Sequence, residues 1–479
     1  MQPSHYNMLD TEDVEQIHDA SLQVLQNTGL AVDHQGARKK MADAGARLRG
    51  DSNRVFISRE MVESALDLFP KSFICAGRTP DYDVTVTSSS NRAPYARTAG
   101  GPLNIYNFST NKFRSLTLDD CVEITRLVDG LPLVNIVSTL SPQDIPIKTY
   151  DIETLKVFLE NGRKHIWALT TSSENLKFQL EMMEVVSGSK EELTQRPICS
   201  GIVCLIEPLY FSEDEVERLI LYGKYNLPIR VPLAPMIGGN APYTLAGTLV
   251  QTNAEALGSL VLLQTLCPGI PTWYYVIMET MDMRNGSLQM FNPEVMLLYN
   301  AILQMARFYG LPAACPSGVG SNAQAHQIMF ERGSSLISNF LAGVSEIGTI
   351  GGLNNGITIS PELIVIDNEL FSFAMRFFEG FDINAETMAL DAIHRQGCKG
   401  RFLEDDHTFQ HLHREMRFKP MLFDWQPIVE QAIEEKTIFQ RARETLNKIN
   451  QTHEVPPLDA DKQKELNLIM ASAKKSLNT

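Results

Sequence analysis

The sequence predicts an α/β protein built on a (β/α)8 TIM barrel, with a helical N-terminal cap and a helical C-terminal extension. Two observations favour this fold. About eight short apolar strands alternate with longer helices between residues 95 and 384, which matches such a barrel in repeat number and length. The chain also lacks the motifs GxGxxG and GxxxxGK(S/T). The rival architecture, a doubly wound open sheet, usually carries a glycine-rich phosphate loop.

The predicted domain boundaries follow changes in this pattern. Residues 1–94 form the N-terminal cap, 95–384 the catalytic barrel and 385–479 the C-terminal extension. In the cap, residues 9–70 are predicted to be helical because apolar side chains recur there at helical spacing. The charged extension is expected to pack on the barrel or on a neighbouring subunit.

The barrel prediction specifies its strands and several helix starts. Thr117, Ser173 and Ser212 are the expected caps of three helices, and Glu215 is expected to complete a capping box with Ser212. Asn292 and Ser360 each precede a proline at a first helical position. The expected strands lie near 96–106, 133–140, 164–171, 198–206, 228–236, 271–279, 312–317 and 345–353.

Charge and cysteine content exclude several classes of protein. With 42 Lys and Arg against 57 Asp and Glu, the net charge is −15 and no long basic run occurs. Nucleic acid and anionic membranes are therefore not expected partners. Seven scattered cysteines without a CxxC pair are typical of reduced thiols. No stretch has the length and composition of a membrane span, so a cytoplasmic protein is expected.

The expected site is the barrel mouth, where strands end and the following loops begin. These positions are rich in Gly, Asn, Ser and Thr, which predicts an open mouth that a ligand can approach closely. The groups available at the strand ends are carboxylates, amides and aromatic rings. Aromatic rings with a carboxylate would suit a quaternary ammonium, which has no N–H to donate and is bound by its charge and by cation–π contact. Because neighbours on a strand point to opposite faces, at least one of Trp273, Tyr274 and Tyr275 must be core. The candidate substrate-binding residues are Tyr95, Tyr106, Glu207, Tyr210, Tyr274, Tyr275, Asn240 and Asn322.

Metal binding is not predicted. The mouth segments contain no His or Cys cluster suited to zinc, and His165 begins a strand rather than ending one. His407 and His411 are one helical turn apart, next to His413, but they lie beyond the eighth repeat. The absence of a His/Asp cluster at the strand ends also argues against one alternative function, that of a metal-dependent hydrolase.

Four segments carry a resemblance to a known family. They are LDTEDVEQIHDASLQVLQNTGLAV near the start, TMDMRNGSLQMFNPEVMLLYNAILQMARFYGLP, GGLNNGITISPELIVIDNE and FLEDDHTFQHLHRE. Together they resemble the trimethylamine methyltransferase family, in the branch that lacks pyrrolysine and includes glycine betaine methyltransferases. Alignment on Gly356-Ile357-Thr358 puts Asn355 at the pyrrolysine position, which argues against trimethylamine itself as the substrate.

The resemblance implies a methyl transfer from a quaternary amine, such as glycine betaine, proline betaine, carnitine or γ-butyrobetaine. The acceptor would be the cobalamin of a separate corrinoid protein docked at the mouth, so no cofactor need be bound permanently. Asn355, Asn354 and Glu279 are the candidate catalytic residues, and a homo-oligomer is expected. A different class stays open: a barrel without catalysis that only binds quaternary amines or docks a corrinoid protein.

Overall fold

A computed structural model describes residues 5–50, 52–88, 93–318, 320, 325–425 and 436–477. Eight parallel strands close into a barrel, and their order around the barrel is their order in the chain. Each strand overlaps its predicted range, so the predicted (β/α)8 barrel is confirmed and the open sheet is excluded. The strands are β1 (Tyr95–Thr98), β2 (Val134–Ser138), β3 (His165–Trp167), β4 (Cys199–Ile202), β5 (Ile229–Leu233), β6 (Thr272–Val276), β7 (Ala313–Pro316) and β8 (Glu346–Ile350).

Helices surround the barrel and extend the chain at both ends. Those of the N-terminal and barrel regions are α1 (Thr11–Asn27), α2 (Gln35–Asp43), α3 (Arg59–Leu68), α4 (Leu118–Gly130), α5 (Tyr150–Asn161), α6 (Ser173–Ser187), α7 (Lys190–Gln195), α8 (Glu213–Gly223), α9 (Leu245–Leu266), α10 (Pro293–Phe308), α11 (Ala325–Leu341) and α12 (Pro361–Glu379). Those that follow are α13 (Leu390–Gln396), α14 (Asp406–Glu415), α15 (Ile438–Thr452) and α16 (Ala460–Ser476). Among the described residues, no helix is long and apolar enough to cross a membrane.

Most predicted helix caps are present. The side chains of Thr117, Asn292 and Ser360 accept backbone hydrogen bonds at the starts of α4, α10 and α12. The cap of α6 is Ser172, one residue before the predicted Ser173. Ser212 caps α8, but the predicted capping box does not form, because the Glu215 carboxylate accepts from Cys204 N and pairs with Arg218 instead.

The N-terminal region is not wholly helical. Short strands at 30–32, 47–48 and 54–56 lie between α1, α2 and α3 and pair with one another. Residues 30–32 also pair with 210–211 from the loop after β4. The sequence pattern missed these strands because each is only two or three residues long. The region lies along the side of α9, where Asn253 Nδ2 donates to Ser21 Oγ over 2.9 Å.

A hairpin closes the barrel at the end opposite the mouth. Strands 72–75 and 84–87 pair antiparallel, and Ala76 N donates to Pro197 O just before β4. The ring of Phe73 meets that of Trp273 edge-on, with centroids 4.8 Å apart. His165 Nδ1 lies 3.0 Å from Ala76 O, which confirms that this histidine is at the closed end.

The barrel interior holds a buried group of three charges. Glu346 Oε1 lies 2.6 Å from Arg97 Nε, and its Oε2 lies 2.5 Å from Arg230 Nη2. All three side chains are at most 1% exposed. Burial alone would raise the pKa of Glu346, but the two guanidiniums hold it below its ordinary value. Trp167 and Trp273 lie against the arginines, at 4.1 and 3.7 Å from the guanidinium carbons to the ring centroids.

Two C-terminal helices return to the barrel wall. α15 packs on α12 and α4 and buries Ala442 and Leu446, while α16 packs on α5 and α6. The segment between α12 and residue 425, in contrast, contacts few barrel elements. The seven cysteines are all free thiols, and four of them are buried.

Candidate functional site

The polar part of the barrel mouth contains two glutamates, on the loops that follow β4 and β6. Glu207 follows β4, and its Oε1 accepts from the backbone N–H of Ala234, just past β5. Glu279 follows β6, and its own N–H donates to Pro235 O over 3.1 Å. The short strand 279–282 pairs with 236–237 and with 287–289, which fixes Glu279 beside the end of β5. The structure therefore brings these two predicted residues together.

A third carboxylate lies behind the first two. Glu255 on α9 is fully buried, and its Oε1 accepts from Leu209 N and Gln251 Nε2 over 3.2 and 3.0 Å. Its Oε2 has no hydrogen-bond partner. Glu255 was not among the predicted site residues, although it is the one charged residue between positions 245 and 266.

All three carboxyls have raised pKa values, and the charge of Glu207 contributes to the rise at the other two. Burial, and then the charge of Glu207, raise the pKa of Glu279 to about 7 and that of Glu255 to about 8. Burial also raises the pKa of Glu207. In the described part of the chain, no Arg, Lys or His side chain contributes an opposing charge to any of the three. A cation bound at the mouth would lower these pKa values and favour the ionised carboxylates.

Asn354 and Asn355 lie in a turn at the end of β8. Strands 352–353 and 358–359 form a hairpin, and both asparagines have left-handed backbones, with φ of 52° and 55°. This is a conformation that Asn tolerates well. Asn355 Nδ2 donates to Leu288 O over 3.0 Å, and its buried Oδ1 has no partner. Asn355 thus joins the loop after β8 to the loop after β6.

The aromatic candidates all lie in described segments, and two of them do not face the mouth. Tyr95 begins β1 and donates to Thr85 O at the closed end of the barrel. Tyr274 points outward, and its hydroxyl donates to Asn253 on α9 over 3.0 Å. Both placements correct the prediction. A strand's first residue lies far from its mouth end, and alternation turns Tyr274 away from the interior.

The remaining rings are already engaged. Tyr275 and Trp273 face the interior, where the Tyr275 hydroxyl accepts from Arg97 Nη2 over 3.0 Å. Tyr210 donates to Asp33 of the N-terminal region over 2.5 Å. Tyr106 donates to Asn111 within its own hairpin. Their hydroxyls are hydrogen-bonded, and a contact between an ammonium and the ring face of Tyr106 or Tyr210 stays a prediction.

Of the other predicted residues, one makes a hydrogen bond within its own loop and one lies outside the described residues. Asn240 Oδ1 accepts from Met236 N over 2.6 Å, which closes the loop after β5. Asn322 lies outside the described residues. The rings of His407 and His411, both on α14, contact each other at a tilt of 31°, with centroids 4.2 Å apart. Across the described segments, no group of three His, Cys, Asp or Glu side chains could hold a metal ion.

Large apolar side chains surround the mouth. In the described residues, six of the eight connections from a strand to its following helix expose at least one, the first turns of α11 expose another, and their exposed fractions run from 43% to 82%. Such an arrangement around an opening is typical of a protein-binding surface. These side chains, called the rim here, are Leu103, Phe113, Ile147, Ile206, Tyr243, Met283, Phe330 and Ile357.

Comparisons with known proteins agree with this architecture. A family model described as trimethylamine methyltransferase (MTTB) matches residues 2–478. Trimethylamine methyltransferase MttB of Methanosarcina barkeri is 29% identical over 480 residues, covering 98% of this chain and 96% of the relative. The glycine betaine methyltransferase of Desulfitobacterium hafniense strain Y51 is 27% identical over 476 residues, covering 98% of each chain.

A solved structure supports the fold independently. The monomethylamine methyltransferase MtmB of Methanosarcina barkeri superposes with a TM-score of 0.53 and 12% sequence identity. The match covers 98% of this chain and 88% of that one. At this identity the likeness bears on the fold alone.

Proposed function

The chain belongs to the trimethylamine methyltransferase family, and on that premise we propose that it demethylates a small quaternary amine of the glycine betaine type. The methyl group goes to the cobalt(I) of a corrinoid carried by a separate protein. The observation that carries this proposal is the set of three carboxylates at the mouth, which no described cation neutralises. The glycine betaine methyltransferase among the relatives points the same way.

The carboxylates suit a permanently charged substrate. A quaternary ammonium cannot donate a hydrogen bond, so it is bound through its charge and its methyl surface. Glu207 and Glu279 supply opposite charge from the loops after β4 and β6, on either side of the end of β5. Because the substrate is cationic, its binding favours the ionised form of both groups.

Under this proposal, the reaction requires little covalent chemistry from the protein's own residues. The cobalt(I) supplies the nucleophile; a C–N bond breaks as a C–Co bond forms, and the nitrogen keeps the C–N electron pair. A quaternary amine leaves as a neutral tertiary amine, so no general acid is needed. The role of Asn355 is positional, since an amide is too weak a nucleophile to trap the amine. Its Nδ2 has a second hydrogen beyond the one given to Leu288, and a substrate carboxylate can accept it.

The rim supports the partner requirement. A corrinoid bound to another protein must reach the substrate from above the mouth, and that protein must exclude water while the methyl group moves. Exposed apolar side chains on six loops and on α11 give such a partner contacts around the opening. Ile147 and Tyr243 are among the most exposed, at 82% and 67%.

The test is a methyl-transfer assay with free cob(I)alamin as the acceptor. The purified protein is incubated with glycine betaine, proline betaine, carnitine or γ-butyrobetaine, and with trimethylamine for comparison. The spectrum of the corrinoid and the release of tertiary amine are followed together. We expect at least one quaternary amine, and not trimethylamine, to give both signals.

Two variants make the result specific. Glu279→Gln removes a mouth charge, and we expect the KM for the quaternary amine to rise about tenfold, as one lost charge contact is worth roughly 1–2 kcal/mol. Glu465→Gln removes an exposed charge on α16 and serves as the matched control. Binding of a quaternary amine without any demethylation would favour the non-catalytic barrel, and transfer from trimethylamine alone would contradict the substrate class.

A further inference from the structure

The helix that follows β7 carries a further buried carboxylate. Glu331 lies on the second turn of α11 and is only 3% exposed. Its Oε1 accepts from Gln327 Nε2 over 2.7 Å, one helical turn earlier. Its Oε2 is buried and has no hydrogen-bond partner among the described residues. Buried carboxylate oxygens nearly always have a donor, so this one requires a donor that the described part of the chain does not supply.

The unpartnered oxygen lies where two loops of the mouth meet. A Cβ added to Gly320 would lie 3.6 Å from Glu331 Oε2 and 3.0 Å from the Cβ of Phe291. Gly320 belongs to the loop after β7, and Phe291 lies between β6 and α10. Because both connections leave the carboxyl ends of their strands, Glu331 Oε2 is at the mouth end of the barrel.

The same position is close to Glu279, one of the three carboxylates described above. Asn292 Nδ2 donates to Thr280 Oγ1 over 2.8 Å. The residue after Phe291 therefore contacts the residue after Glu279, and Glu331 lies next to Phe291 in turn. A small molecule bound at Glu279 can therefore extend to Glu331.

The surroundings of Glu331 Oε2 offer acceptors rather than cations. The neighbouring Arg332 pairs with Asp367 on α12 instead, and no ion pair among the described residues includes Glu331. Asn355 Oδ1, at the end of β8, is a second buried acceptor without a described partner. A substrate group that reaches Glu331 is therefore favoured if it can donate a hydrogen bond.

Few groups of a small quaternary amine can donate that hydrogen bond. Its quaternary nitrogen has no N–H, and a carboxylate at its other end is only an acceptor. A hydroxyl group has one donor hydrogen, and its bond to an ionised carboxylate is about twice as strong as a bond between neutral groups. The unpartnered oxygen of Glu331 therefore suits a hydroxyl on the substrate.

We propose that Glu331 accepts a hydrogen bond from a hydroxyl group of the substrate, which makes the methyl donor a hydroxylated quaternary amine. The inference rests on the proposed function and narrows its substrate class. Carnitine carries a hydroxyl where γ-butyrobetaine carries hydrogen, and choline differs from ethyltrimethylammonium in the same way. Glu331 determines specificity and takes no part in breaking the C–N bond.

Isothermal titration calorimetry of the full chain with these two matched pairs tests the proposal, and it needs no corrinoid. Within at least one pair, we expect the hydroxylated amine to bind about 10- to 100-fold more tightly, because its analogue leaves Glu331 Oε2 unpaired.

Two substitutions separate a contact with the hydroxyl from a structural role. Glu331→Leu has a side chain that suits burial but no acceptor, and we expect the preference within the pair to fall to about twofold or less. Glu331→Gln keeps an acceptor oxygen without the charge, so the preference should fall several-fold without vanishing. Glu294→Leu, at an exposed glutamate on the first turn of α10, is the control and keeps the wild-type preference. The circular dichroism spectrum checks that each variant is folded.

Three results would overturn the inference. The wild type could bind both members of each pair equally well, or bind none of them. Glu331→Leu could keep the wild-type preference. It could also weaken the binding of both members of a pair by the same factor, as a purely structural role would.

The inference and the proposed function can fail separately. Demethylation of quaternary amines without any preference for the hydroxyl would leave the proposed function standing and remove this inference. A preference in binding without methyl transfer would support the inference and contradict the proposed function.

Discussion

The charges buried in the barrel interior have partners of opposite charge, whereas the carboxylates at its mouth have none among the described residues. In the interior, Glu346 is held between two arginines and its pKa is lowered. At the mouth, Glu255 and Glu279 have raised pKa values and only another carboxylate beside them. The interior arrangement satisfies its charges within the chain. The mouth leaves its carboxylates without an opposing charge, which costs stability when they are ionised; under the proposed function, the cationic substrate supplies that charge.

The largest expected effect comes from breaking the interior group. Glu346→Gln leaves two buried guanidiniums without their carboxylate, and we expect a loss of about 3–5 kcal/mol in the free energy of unfolding. Chemical denaturation monitored by circular dichroism measures it. An unfolding midpoint equal to that of the wild type would show that the interior charges are not the stabilising element inferred here.

Replacing a glutamate by glutamine at the mouth should raise the free energy of unfolding, whereas the same replacement in the interior lowers it. Glu255→Gln removes a carboxylate that lacks a cation, and we expect the variant to be more stable by roughly 1–3 kcal/mol at pH 8. The pKa of Glu255 is raised from about 4.5 to about 8, so the folded wild type binds the proton more tightly than the unfolded chain does. Wild-type stability therefore falls as pH rises between those two values.

Measuring the unfolding of both proteins at several pH values tests whether the charge of Glu255 causes this difference in stability. The difference in unfolding midpoint between Glu255→Gln and the wild type should be small near pH 5 and widen up to pH 8. A difference that stays constant with pH would mean that the charge of Glu255 is not its cause.

A smaller effect is expected in the pH dependence of substrate binding. Because the pKa of Glu279 is raised to about 7, much of this group is protonated below neutral pH. Under the proposed function, the KM for a quaternary amine should fall by several-fold from pH 6 to pH 8, since the ionised fraction changes up to tenfold per unit below the pKa. Steady-state kinetics across this range measures it. In Glu279→Gln the slope should flatten, and an unaltered slope would assign the titration to another group.

The smallest effect is expected at Asn355. Replacing it with alanine removes the hydrogen bond to Leu288 and one possible donor to the substrate. One neutral hydrogen bond is worth about 0.5–1.5 kcal/mol, so the KM should rise two- to tenfold while turnover continues. Asn354→Ala, in the same turn, is the matched control. Complete loss of turnover in Asn355→Ala would mean that the residue does more than position substrate.

The fold was more predictable than the site. Strand alternation, helix caps and the count of repeats are local signals, and the eight strands followed from them. The aromatic cage did not, because Tyr274 and Tyr275 differ only in the face of β6 that each occupies, and Tyr275 was already bound to Arg97. The pairing of Glu207 with Glu279 was recoverable from their shared position at strand ends, whereas Glu255 reaches the mouth from a helix.

The hairpin that closes the far end has a kinetic consequence. With that end sealed by strands 72–75 and 84–87 and the interior filled by Arg97, Arg230 and Glu346, the barrel has no through-passage. Under the proposed function, the amine then enters and leaves by the opening over which the corrinoid protein docks. Binding is consequently ordered, with the amine first and the protein second, and a large excess of the corrinoid protein slows turnover by occupying the empty enzyme.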